Sequence, residues 1–235
     1  MRSTSVQTYA RVAGVLFLLS MIGGFFGEFY VPSRLIVSRD AAATAKNIIE
    51  LDSMFRWGFA AYLLEAVCDI ALSLVMYVLL RPVHKNLALL AAFFGLVSTA
   101  TFAIAELFVF GTTLILGGGE YLKSFSPDQL NTLAYLWIRM SGLCAGAFMV
   151  FYGIASATRG YLIYRSDYLP RALGVLLMLA GIGFIARSFV LVLAPAYVSD
   201  AFLFPMFLAL VSLTAWMLVK GVDVAKWEAR AVTSQ

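Results

Sequence analysis

The sequence predicts an all-α protein, a polytopic bundle of six membrane-spanning helices, and two observations carry that prediction. The 235 residues are 62% hydrophobic and only 13% charged, with a mean hydropathy of +0.91, a balance that excludes a soluble enzyme. A bilayer core needs about 20 apolar helical residues per crossing, and such windows occur at 11–31, 57–80, 86–116, 129–158, 171–194 and 201–221. One integral domain, residues 1–235, is therefore expected.

The first window follows the basic start MRSTSVQTYAR. The FGEFYVPS after it lacks the small-x-small pattern of a cleaved secretory signal, so an uncleaved first helix is expected, ended by Pro32. Asp40 is an N-cap candidate, and Ala41, Ala45, Ile48 and Phe55 recur on one helical face. A short surface helix near residues 41–54 is predicted, either a lid or an amphipathic connector lying in the interface. Trp57, Tyr121, Tyr135, Trp137, Tyr161, Tyr164, Tyr168 and Trp216 fall near the window ends, as interfacial aromatics do.

LGGGEYLKSFSPDQL, residues 116–130, reads as a turn with a helix start at Ser126-Pro127-Asp128. Its glycines lack the Lys-Ser/Thr of a phosphate loop. RGYLIYRSDYLPR links windows four and five, with Pro170 opening the next helix. Gly142, Gly146 and Gly153 form a small-residue stripe that predicts helix–helix contact. No internal repeat is evident.

The net charge of +4 arises from 17 basic and 13 acidic residues, dispersed at helix ends with no basic run, which argues against nucleic acid as a partner. With both termini in the cytoplasm, ten basic residues (Arg2, Arg11, Arg81, Lys85, Arg159, Arg165, Arg171, Lys220, Lys226 and Arg230) lie inside and five (Arg34, Arg39, Lys46, Arg56 and Lys123) outside. The positive-inside rule favours that orientation. Cys68 and Cys144 both lie within windows, where cysteine packs as a small apolar residue.

Charges inside the windows are the informative feature. YLLEAVCDIALSL carries Glu65 and Asp69 one helical turn apart in an otherwise apolar stretch. At about 1.5 Å per residue, Glu65 lies roughly 12 Å below the outer face and Asp69 near the midplane. On the same count Glu106, Arg139 and Arg187 lie roughly 15, 13 and 10 Å deep. An ionised side chain facing lipid at the bilayer centre costs on the order of 3 kcal/mol, so the five are expected to converge in a polar core. Glu28 and Arg56 would form its outer rim. His84 is the only histidine, which excludes His-based zinc and bis-histidine haem sites, and arginines beside the acids would repel a hard cation. No metal and no cofactor are expected. Ser98, Thr99, Thr101 and Ser141 are the hydroxyls near these charges; within spans such groups usually bond back to a carbonyl.

YARVAGVLFLLSMIGG, SRLIVSRDAAATAKNI, MYVLLRPVHKNLALLAAFF and GYLIYRSDYLPRALGVLLMLAG resemble a bacterial membrane family catalogued as domain of unknown function 4386. The resemblance spans nearly the whole chain and is most specific in the last segment. It implies about six helices in a bacterial cytoplasmic membrane, and no known reaction, ligand or partner.

From the residues, the leading expectation is an outward-facing polar pocket in the bilayer that binds, or passes, a small polar or amphipathic ligand such as a lipid head group whose anion meets the arginines. A membrane-embedded lipid-modifying enzyme using Glu65 or Asp69 and a scaffold whose ion pairs only fix helix packing are the alternatives.

Overall fold

A computed structural model of the chain describes residues 3–233, so Arg2, counted above among the inner charges, lies outside the described residues. The described residues form nine α-helices joined by short turns, with no strand: α1 (Ser3–Gly24), α2 (Val31–Leu35), α3 (Ala41–Glu50), α4 (Asp52–Leu80), α5 (Lys85–Leu116), α6 (Pro127–Tyr164), α7 (Arg171–Leu193), α8 (Phe204–Val219) and α9 (Val224–Thr233). Six segments are long and apolar enough to cross a membrane: Val6–Leu35, Asp52–Leu80, Lys85–Leu116, Pro127–Tyr164, Arg171–Leu193 and Asp200–Val219.

Several boundaries differ from the sequence expectation. The first helix does not stop at Pro32. A wide π turn over Phe25–Tyr30 joins α1 to α2, and Pro32 lies in the first turn of α2, where its missing N–H leaves little unsatisfied. The helix expected over 41–54 closes at Glu50, and Leu51 alone separates it from α4, so residues 52–54 already belong to the second span. Asp40 does cap α3, its carboxylate accepting from the Ala43 N–H at 2.8 Å. Pro170 stands one position before α7.

Local chemistry explains the other starts. Ser126 and Gln129 form a reciprocal capping box at α6: the Ser126 N–H donates to Gln129 Oε1 at 2.8 Å and the Gln129 N–H to Ser126 Oγ at 3.3 Å. His84 caps α5, its Nδ1 accepting from the Leu87 N–H at 3.2 Å. α8 is stopped by Gly221, two residues past its last turn, whose φ of 71° glycine adopts without strain.

The chain divides into two compact units, neither a continuous stretch of sequence. Among the described residues the first unit comprises 3–19, Cys68–Thr99 and 146–233. Its core joins Phe17, Leu72, Met76, Leu162, Leu177 and Met217, among others. Within it α6 and α7 touch at two reciprocal glycine pairs, Gly153 with Gly181 and Gly160 with Gly174, seven residues apart on each helix. A methyl group at any of these four would meet the partner backbone.

The C-terminal helix of this unit is fastened at its base. Tyr168 Oη and Trp227 Nε1 both donate to the carbonyl of Leu79, at 2.7 and 2.9 Å, in the last turn of α4 where carbonyls have no helical partner. Asp167 accepts from Arg171 Nη2 at 3.2 Å and Arg230 Nη1 at 3.0 Å, and the Asp223 N–H donates to the Tyr168 carbonyl at 3.1 Å. Burial pushes the Tyr168 phenol above its ordinary value, with Arg230 pulling the other way. Asp223 caps α9, and hydrogen bonding to the Lys226 N–H holds its carboxyl below the ordinary value.

The second unit comprises Ser20–Val67 and Ala100–Ala145. Val31, Leu35, Ile48, Phe55 and Ile138 form its core. Gly23 and Gly27 let the first span approach α4 closely, a Cβ at either lying within 3 Å of the Ala61 or Gly58 carbonyl oxygen. Arg39, at φ 64°, donates its N–H to Tyr135 Oη at 2.8 Å and so ties the loop before α3 to α6.

Candidate functional site

The second unit contains a cavity of about 320 Å³, within the range of small-molecule pockets. Helical periodicity builds its walls. On α4 the lining residues are Phe55, Gly58 and Phe59; on α5 they are Phe102, Glu106, Val109 and Phe110; on α6 they are Ile138, Ser141, Gly142 and Ala145. Each set repeats at three and four residues and so shares one helix face. The π turn and α2 supply Glu28 and a further apolar edge.

The space exists because small side chains replace large ones on one wall. A Cβ on Gly142 would meet nothing within 4 Å, so this end of the glycine stripe borders the cavity, not a helix as expected. Gly146 keeps the expected role and would meet Leu191. Part of the wall is aromatic: the Phe59 and Phe110 rings, both in the lining, stack with centroids 4.2 Å apart. Glu106 stands one turn from both Phe102 and Phe110 on α5. Among the described residues its side chain makes no hydrogen bond or ion pair.

The other residues expected at the core or its rim in this unit are placed elsewhere. Glu65 lies against the first span, where a Cβ on Gly24 would be 2.9 Å from its Oε1. Arg56 pairs with Asp52 at 2.8 Å, one turn back on α4, and does not line the cavity. Arg139 is exposed, rotated about 100° from Ile138 by the helical step. The depth assigned to it also changes. α6 has 38 residues and runs about 57 Å against a bilayer core of about 30 Å, so counting from one end does not fix its height.

In the first unit Asp69 borders a narrow void with Ser73, Gly95, Thr99, Tyr152 and Arg159, with room for about one water. Arg159, read from sequence as an inner flanking charge, is 6% exposed and donates from Nη2 to Ser73 Oγ at 3.2 Å. Gly95 makes this possible, since a Cβ there would lie 2.5 Å from Arg159 Nη2 and 2.6 Å from Ser73 Oγ. Arg187 donates from Nη2 to Asp200 Oδ1 at 3.0 Å, with Nη1 on Met149 Sδ at 3.5 Å. Its acidic partner is thus Asp200, a residue outside the expected cluster.

The sequence profile of the family described as "Domain of unknown function (DUF4386)" matches residues 12–221. This chain belongs to that family. An uncharacterized protein of Archaeoglobus fulgidus is 26% identical to this DUF4386 member over 160 residues, covering 66% of this chain and 78% of the relative. No solved structure matches the chain. Membership makes it a protein of a membrane-type helical family whose function is not assigned, and the archaeal relative carries no activity to transfer.

The hydroxyls of this DUF4386 chain are largely occupied by its own helices. Ser98 and Thr99 donate to the Gly95 carbonyl at 2.7 and 3.1 Å, and Ser141 to the Ile138 carbonyl at 2.7 Å. Sequence reasoning overlooked Arg159 and Asp200 because both lie near span ends, where charge reads as solvated. The serine at 73 and the glycine at 95, one wide gap apart in sequence, gave no pairwise signal.

Proposed function

We propose that this DUF4386 protein binds a small amphipathic ligand in the cavity bordered by Glu28 and Glu106. The observation that carries the reading is the cavity's composition: about 320 Å³ with a largely apolar, aromatic wall and a carboxylate on it. That is the make-up of a pocket for a ligand with an apolar body and a polar end. The protein acts in this reading as a multi-pass component of a bacterial cytoplasmic membrane, with both chain ends in the cytoplasm. Taking buried Arg159 out of the count leaves nine basic residues against five, which still supports that orientation. The mouth beside Glu28 then opens outward, and the ligand enters from the outer leaflet or the outer medium.

Native mass spectrometry of protein released from mild detergent tests this. Wild type should carry an adduct of defined mass that Gly142→Leu loses, because a Cβ at 142 has no neighbour within 4 Å and the leucine side chain grows from it into the space the ligand would occupy. A bare wild-type mass, or an adduct held equally by both, refutes the reading.

A further inference from the structure

We infer that the ligand of this cavity is a monovalent organic cation, an amine or quaternary ammonium group on an apolar body, with Glu106 as its counter-charge. The inference rests on the binding reading above and assigns the sign of the ligand. Two carboxylates, Glu28 and Glu106, line the cavity. None of the basic residues of this unit, Arg34, Arg39, Lys46, Arg56, Lys123 and Arg139, lines it. An anionic head group would therefore face carboxylates with no cation to meet it, the reverse of the arrangement expected from the sequence.

The walls select among cations. A calcium-like ion needs six to eight oxygen ligands, and the lining offers two carboxylates and one hydroxyl among apolar residues. A desolvated inorganic ion would lose more hydration than these groups return. An organic ammonium carries a smaller hydration cost and brings its own apolar surface. It also gains from aromatic faces, which attract cations through the ring quadrupole. Phe59, Phe102 and Phe110 put aromatic rings on the lining, and Glu106 lies between Phe102 and Phe110 along α5. Glu28, at the exposed end, would draw the cation in.

The test uses three probes of one shape, 4-phenylbutylamine, 4-phenylbutanol and 4-phenylbutyrate, titrated calorimetrically into the full-length protein in detergent against empty micelles at neutral pH. The amine should bind about tenfold or more tighter than the alcohol. Glu106→Gln should erase that preference, and Gly142→Leu should abolish binding of both. Equal affinity for amine and alcohol, a preference that survives Glu106→Gln, or tightest binding by the butyrate overturns the cationic assignment while the pocket stands. Binding of none of the three, or binding unchanged in Gly142→Leu, overturns the pocket reading itself.

Discussion

Arg187 and Asp200 form an ion pair of unequal halves: at 3.0 Å the arginine side chain is 18% exposed and the aspartate 83% exposed. Removing either partner breaks the same contact, yet what remains differs. A lone Asp200 is hydrated, whereas a lone Arg187 keeps a largely enclosed charge. Asp200→Asn is therefore expected to cost about 1–2 kcal/mol and Arg187→Met about 1 kcal/mol or less, between the values for exposed and buried pairs. Thermal unfolding in mild detergent, followed by tryptophan fluorescence, reads the order. Equal costs would mean that solvent screens the pair.

Gly95 and Gly142 make a matched contrast within α5 and α6. At Gly95 an alanine methyl must displace Arg159 or Ser73, both within 2.6 Å of the Cβ position, so Gly95→Ala should cost about 1–3 kcal/mol. At Gly142 nothing lies within 4 Å, and Gly142→Ala should be neutral or stabilising by about 0.4–1 kcal/mol, helix propensity favouring alanine. Parallel denaturation of the two variants checks the ranking. An unaffected Gly95→Ala would show that the Arg159 side chain has room to move aside.

Tyr168 gives a pH signature. Because burial raises its phenol in the fold, the folded chain holds that proton more tightly than the unfolded chain. The unfolded chain releases it first, near pH 10, so the stabilisation is complete below that pH and is lost as pH rises toward the folded value. Wild type should lose stability above about pH 10 more steeply than Tyr168→Phe. Below that pH the variant should cost about 1 kcal/mol, since Trp227 still donates to the Leu79 carbonyl. Coincident alkaline profiles would remove Tyr168 from this role.

Much of the fold could be read from local chemistry. Composition and window length give six spans, and the Asp40 cap and the Ser126 helix start follow from residue types alone. The site was legible only in part. Depth along a helix is a one-dimensional count, and it put Glu106 within the membrane; it carries no azimuth, so it sent Arg139 to the polar core although that side chain is exposed, and it gave no sign that Ser141 lines the cavity. The π turn at Phe25–Tyr30 lies in an apolar run whose sequence has no marker for it, yet it brings Glu28 to the cavity edge. Small residues at Gly142 and Gly146 read identically. Only the neighbour's bulk, Leu191 at one and none at the other, separates a packing contact from a hole.

The carbonyl of Leu79 also sets an order of events in time. Its two donors lie 89 and 148 residues further along the chain. At about 5–20 residues per second of synthesis, roughly 7–30 s pass between making Leu79 and making Trp227. Tyr168 is made part-way through that interval and Trp227 at its end, so the carbonyl gains its donors in two steps and α9 supplies the last.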